Sequence, residues 1–159
     1  MVRFLAFSGC RLGEATKVRW MDALCDREEL IVRGDPVTGT KNWEIRRMPM
    51  IPELKALIIS MREKRADEPN DATILRVREC QKSMDRAAKL LGIPRITHHD
   101  LRHLFATTAI ECGIDIPTVS RLLGHKDGGV LAMKTYGHLR QEHIKAAVQK
   151  INFCGPPTA

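Results

Sequence analysis

The sequence predicts a mainly α-helical chain with one small antiparallel β-sheet, an α+β fold. Apolar residues recur at helical spacing in successive segments, most of them closed by a glycine. Two short alternating runs flank a turn-rich stretch, as the strands of a hairpin do. No internal repeat and no low-complexity tract interrupts this pattern.

The elements follow in order. Met1 to Ser8 is apolar and reads as a helix broken by Gly9, and Arg11 to Val18 reads as a second, short helix. Glu29 to Arg33 reads as a strand. Gly34-Asp35-Pro36 and Thr38-Gly39-Thr40 carry turn chemistry, and Trp43 to Met48 alternates as the returning strand. Pro49 and Pro52 end it. Pro52 suits the first turn of a helix, whose apolar stripe is Leu54, Leu57, Ile58 and Met61. Asp67 to Asp71 is a polar loop, and Cys80 to Leu91 is a helix ended by Gly92. Thr97 and Asp100 form a capping-box-like start to a helix that runs to Cys112, with Gly113 as its stop. Another helix spans Ile116 to Leu123 and stops at Gly124. After the break at Gly128-Gly129, one helix carries Tyr136, and a last amphipathic one uses Ile144, Ala147, Val148 and Ile151.

The chain of 159 residues suits one domain with a real core. No apolar run approaches the ~18 residues that a membrane helix needs, and the apolar start is too short for a signal peptide. The five cysteines, Cys10, Cys25, Cys80, Cys112 and Cys154, are odd in number and contain no CxxC. That argues against a disulfide framework or a cysteine zinc site and for a reducing compartment. Lys plus Arg outnumber Asp plus Glu by 26 to 19, a net charge of +7 that favours a polyanionic partner, nucleic acid first.

Chemistry concentrates on the helix after Thr97. At ~100° per residue, Leu101, Leu104, Phe105, Thr108 and Cys112 share one face, and His99, Arg102 and His103 lie opposite. A histidine and an arginine one turn apart at a helix start suit a phosphate, because the arginine forks onto two oxygens and the histidine donates a third bond. A solvated charged face fits the same pattern. The His99–His103 spacing also matches a metal pair, but HExxH is absent and no third ligand has metal spacing. Thr107 to Lys126 has a helix-glycine-helix form that a non-enzymatic helix-turn-helix DNA reader would share.

Taken together, the motifs narrow the choice. Gly9-Cys10-Arg11-Leu12-Gly13-Glu14 is followed by His99-Asp100-Leu101-Arg102-His103-Leu104-Phe105-Ala106-Thr107, then Leu123-Gly124-His125, then Tyr136. This series resembles the tyrosine recombinase, or phage-type integrase, family: an arginine in a G-x-R-x-x-E context, H-x-L-R-H-x-x-A-T, L-G-H and a nucleophilic tyrosine shortly after. The resemblance implies a recombinase catalytic-domain fold and a catalytic set of Arg11, Lys41, His99, Arg102, His125 and Tyr136. Lys41 enters as the only lysine between the two strands, and Tyr136 is the only tyrosine in the chain. The implied roles are attack by Tyr136, charge stabilisation by Arg11, Arg102 and His125, proton transfer by His99, and protonation of the departing 5′ oxygen by Lys41. The product would be a 3′-phosphotyrosine, formed without cofactor or metal.

The same resemblance implies site-specific recombination on double-stranded DNA, with copies of the chain assembling on that DNA and no membrane or small-molecule partner. It implies a cytoplasmic, nucleoid-associated protein of bacterial or phage origin. Residues 1–159 then form a single catalytic domain that lacks the N-terminal core-binding domain and the first part of the catalytic domain. A folded but inactive integrase remnant is the other reading of so short a chain.

Overall fold

The computed structural model describes residues 1–34, 45–125 and 134. Its contacts divide the chain into two compact units, Met1–Phe105 and Ala106–Ala159.

The first unit opens with α1 (Val2–Ser8) and α2 (Leu12–Ala15). A sheet of order β1-β2-β3 follows, with β1 at Ala23–Leu24, β2 at Glu29–Arg33 and β3 at Ile45–Pro49. Both pairings are antiparallel. Leu30 faces Met48 and Val32 faces Arg46 across β2 and β3, and the period of two puts these four on one face. Leu30, Val32 and Met48 are buried there. α3 (Pro52–Glu63) adds Leu54 and Ile58 to this core and packs on α1, which contributes Phe4 and Leu5. Each such side chain, fully removed from water, contributes ~1.5–3 kcal/mol. Pro52 stands in the first turn of α3, where its missing N–H costs nothing. The polar loop after α3 is tied down by Glu68, which accepts from Trp20 Nε1 at 2.8 Å and pairs with Arg76.

α4 (Gln81–Leu91) closes at Gly92, and α5 (His98–Glu111) starts as the capping box requires. The Thr97 N–H and hydroxyl both donate to Asp100 Oδ2 at 2.8 Å, and the Asp100 N–H donates to Thr97 Oγ1 at 3.3 Å. α5 crosses the boundary between the two units. In the second unit, α6 (Ile116–Leu123) is capped by Asp115, which accepts from the Thr118 N–H at 2.9 Å, and it buries Ile116, Val119, Ser120 and Leu123. No helix among the described residues is long and apolar enough to cross a membrane.

Some expectations change. The second helix ends at Ala15, not Val18. Past Thr16 the chain is captured by the loop before α4: the Val18 carbonyl accepts from the Ile74 N–H at 2.9 Å, and Arg19 bridges to Thr73. β1, two residues long, has no periodicity to read. The returning strand is described from Ile45 onward; Trp43 and Glu44 lie outside the described residues, as do, apart from Lys134, the residues on which the two C-terminal helices are expected.

The face assigned to α5 is also corrected. Leu104 is 54% exposed, Thr108 and Cys112 are exposed, and the buried positions are Leu101, Arg102, Ala106, Ala109 and Ile110. Arg102, expected opposite the apolar stripe, shares the buried side with Leu101. A wheel based on residue type cannot register that a carbonyl waits there to receive a guanidinium.

Candidate active site

The site is built around the turn between α1 and α2. Gly9 ends α1 at φ 60°, a left-handed conformation that glycine adopts without penalty, and its N–H donates to the Leu5 carbonyl. The turn leaves the Gly9 carbonyl to accept from Arg102 Nη1 at 2.7 Å. Arg11 then caps α2. Its N–H donates to Glu14 Oε2 at 3.0 Å, and its Nη1 donates to Oε1 at 3.2 Å.

A second arginine reaches Glu14 from the sheet. Arg46 lies on the core face of β3, and its guanidinium forks onto the carboxylate, Nη1 to Oε1 at 2.9 Å and Nη2 to Oε2 at 2.8 Å. Glu14 is 3% exposed. Burial works to raise its pKa, but the Arg46 bonds and charge, with Arg11 added, outweigh burial and hold it below the usual carboxylate value. Burial likewise pulls Arg46 down, and Glu14 more than restores it.

Arg102 differs. It is 4% exposed, and its pKa is pushed down to about 10. Burial is the main cause, the nearby Arg11 charge is next, and Arg46 adds to it against the opposing pull of Glu14. Arg11 and Arg46 thus bind one carboxylate, and the Arg102 charge lies close to both. An anion placed against Arg11 and Arg102 eases the repulsion between their charges, and in a partly desolvated setting the attraction is far stronger than in water.

His99 is exposed on the first turn of α5, one turn before Arg102, and its ring meets the His103 ring edge-on with centroids 4.3 Å apart. Burial, then the neighbouring His99, lower the His103 pKa. Among the described residues no group of three His, Cys, Asp or Glu side chains is placed to hold a metal ion.

His125 belongs to the second unit. Gly124 closes α6 at φ 71°; its N–H donates to the Arg121 carbonyl, and the His125 N–H donates to the Ser120 carbonyl at 3.0 Å. This paired closure fixes the backbone from which His125 projects. Lys41 and Tyr136 lie outside the described residues.

The structure therefore brings Arg11 and Arg102 together and places His99 on the helix that carries Arg102. Sequence reasoning missed Arg46. The alternation of Trp43 to Met48 held the signal, since it puts an arginine on the same face as Met48, and a charge on a core face requires a buried partner.

Glu14→Gln is expected to destabilise the chain by ~3–5 kcal/mol at neutral pH, because it leaves the largely buried Arg46 guanidinium without its carboxylate. A carboxylate with a lowered folded-state pKa contributes stability above its unfolded value, ~4.3, and loses it as pH falls through the folded value. The gap between wild type and variant in urea denaturation should therefore narrow on acidification from neutral pH to below that folded value. An unchanged gap would contradict the assignment.

The model of the phage integrase family matches residues 1–143. The chain is 32% identical over 152 residues to the tyrosine recombinase XerA of Saccharolobus solfataricus, covering 92% of this chain and 49% of that protein. It spans about half the length, or less, of the curated relatives it matches. Its fold is similar to the catalytic domain of bacteriophage HP1 integrase, with a TM-score of 0.68 and 21% identity over 99% of this chain and 83% of that one. It is also similar to the Tn1549 transposon integrase in complex with transposon right end DNA, with a TM-score of 0.73 and 16% identity over 94% of this chain and 57% of that one.

Proposed function

The chain belongs to the phage integrase family of tyrosine recombinases, and from that premise we propose that it is the catalytic part of a site-specific DNA recombinase whose nucleophile is Tyr136. The observation that carries the proposal is the guanidinium cluster at the Gly9 turn, where Arg102 bonds the Gly9 carbonyl close to the Arg11 charge. A phosphodiester in double-stranded DNA is the anion that this cluster suits.

In the proposed reaction the Tyr136 oxygen attacks the phosphorus as its proton passes to His99. Negative charge builds on the non-bridging oxygens, where Arg11, Arg102 and His125 stabilise it as fixed donors. The bond to the 5′ oxygen breaks, and Lys41 protonates that oxygen as it leaves. A 3′-phosphotyrosine and a free 5′ hydroxyl result. The ester bond energy is retained, so the reverse attack rejoins a strand without an external energy source. Fixed cationic side chains do what a divalent ion does in metal-dependent nucleases.

We propose further that residues 1–159 act as one catalytic domain in the cytoplasm, and that copies of the chain assemble on their DNA. The family match includes Thr107 to Lys126, so the helix pair there belongs to a recombinase fold rather than to a stand-alone DNA reader.

Incubation with a nicked duplex of cognate sequence, in excess EDTA, is expected to give a protein–DNA adduct that survives SDS. Activity that disappears with EDTA and returns with zinc or magnesium would refute the metal-free mechanism and favour a histidine metal site.

A further inference from the structure

We propose that Arg46 is a positioning residue that locks Glu14 and, through Glu14, fixes the Arg11 guanidinium for the scissile phosphate. The inference rests on the reading of Arg11 as a phosphate ligand.

The lock is visible in the bonds to Glu14. Oε1 accepts from Arg46 Nη1 and Arg11 Nη1, and Oε2 accepts from Arg46 Nη2 and the Arg11 N–H. Arg11 is held at its backbone and at its side chain by one carboxylate. Left to itself, a glutamate on a helix of four residues turns about its side-chain torsions. The fork from Arg46 removes that freedom, because two parallel bonds fix the plane of the carboxylate. Arg46 is itself fixed by the register that pairs it with Val32 on the core face of the sheet. Rigidity thus passes from the sheet, through two charge-assisted contacts, to a guanidinium that stays 40% exposed and open to a ligand.

A neighbouring cluster provides the control. Asp22 is buried and accepts from the Arg19 N–H at 3.1 Å, from Arg19 Nε at 3.4 Å and from Arg33 Nη2 at 2.8 Å. The plan is the same: an arginine, an acid three residues on, and a second arginine from the β2–β3 pair. Arg33 stands one register position from Arg46, opposite Ile45. The bonds of this second lock run to Arg19 and Arg33, so it shares the structural duty of the first without the link to phosphate.

The test uses the full chain with Arg46→Lys, which keeps the charge but cannot fork, with Glu14→Met/Arg46→Met, which leaves neither charge of the forked pair buried without its partner, and with Arg33→Lys as control. Inorganic phosphate is titrated while the Nε–H signals of Arg11 and Arg102 are followed by NMR. In wild type the Arg11 signal is expected to shift saturably. Arg46→Lys and the double variant should weaken phosphate binding about tenfold, the loss of one or two charge-assisted contacts, and Arg33→Lys should not. Cleavage adds a second readout. A methylphosphonate at the scissile position carries no charge on its non-bridging oxygen. The penalty of Arg46→Lys, about 10²-fold on the phosphodiester, should shrink on that neutral substrate as the Arg11→Ala penalty does. A merely structural residue shows the same penalty on both substrates. The proposal is overturned if the Arg11 signal and phosphate affinity are unchanged in Arg46→Lys, or if wild type shows no phosphate-dependent shift at Arg11. Phosphate binding at Arg11 without adduct formation on any DNA would sink the recombinase mechanism and leave the lock standing.

Discussion

Tyr136→Phe is expected to abolish the covalent DNA adduct and to leave non-covalent DNA binding within about twofold of wild type. The substitution removes one oxygen and no charge. Affinity for DNA comes chiefly from cationic side chains against phosphates, and none of these is touched. The nucleophile, in contrast, has no substitute of its own kind, because the chain holds a single tyrosine. Any adduct that persists in the variant must be carried by a different class of side chain. Gel electrophoresis in SDS reads the adduct, and fluorescence anisotropy reads the binding. A variant that still forms the adduct, or one that loses binding and cleavage together, contradicts the role assigned to Tyr136.

Arg102→Ala is expected to slow single-turnover cleavage by about 10²–10³-fold, the range seen when one fixed donor to a developing oxyanion is removed. The expectation comes from burial and from charge. Arg102 is held by the Gly9 carbonyl in a site where burial and Arg11 disfavour its charge, so an arriving phosphate strengthens every contact it makes there. Arg102→Lys should recover little, since an ammonium cannot fork onto two oxygens. A substrate with sulfur in place of the bridging 5′ oxygen separates this role from that of Lys41. Sulfur leaves as a thiolate and needs no proton. Lys41→Ala, slowed by about 10²-fold on the ordinary substrate, should regain most of its rate on the sulfur substrate, and Arg102→Ala should not. Equal rescue of the two variants would mean that they do not divide the work as proposed.

Much of the fold was legible because periodicity and terminators agree. α1 ends at Gly9, α4 at Gly92 and α6 at Gly124, each glycine in the left-handed conformation that stops a helix, and Thr97 with Asp100 opens α5. Misses occurred where long-range contacts overrule local pattern. The end of α2 is decided by a loop more than fifty residues away, through the bond from Ile74 to Val18. β1 is too short to carry a pattern.

The candidate site divides the same way. The order and spacing of the motifs named Arg11 and Arg102, and the structure brings them to one turn. Arg102 was nevertheless expected on the face opposite the apolar stripe, because helical spacing reports which residues align and not what surrounds them. The Glu14–Arg46 lock needed the pairing of β2 with β3 to become visible. In the sequence, the alternation sets Arg46 rather than Arg47 on the face of Met48, but only the folded sheet shows that this face is the buried one and meets Glu14.

The central claim is that this chain cuts DNA through a covalent bond to one tyrosine. The most direct measurement is to trap the adduct on a nicked duplex, digest it, and identify by mass spectrometry the residue that carries the nucleotide. The account predicts a phosphodiester between Tyr136 and the 3′ phosphate, with the matching fragment bearing a free 5′ hydroxyl. A nucleotide on any other residue, or cleavage that leaves no protein-linked fragment, would contradict it.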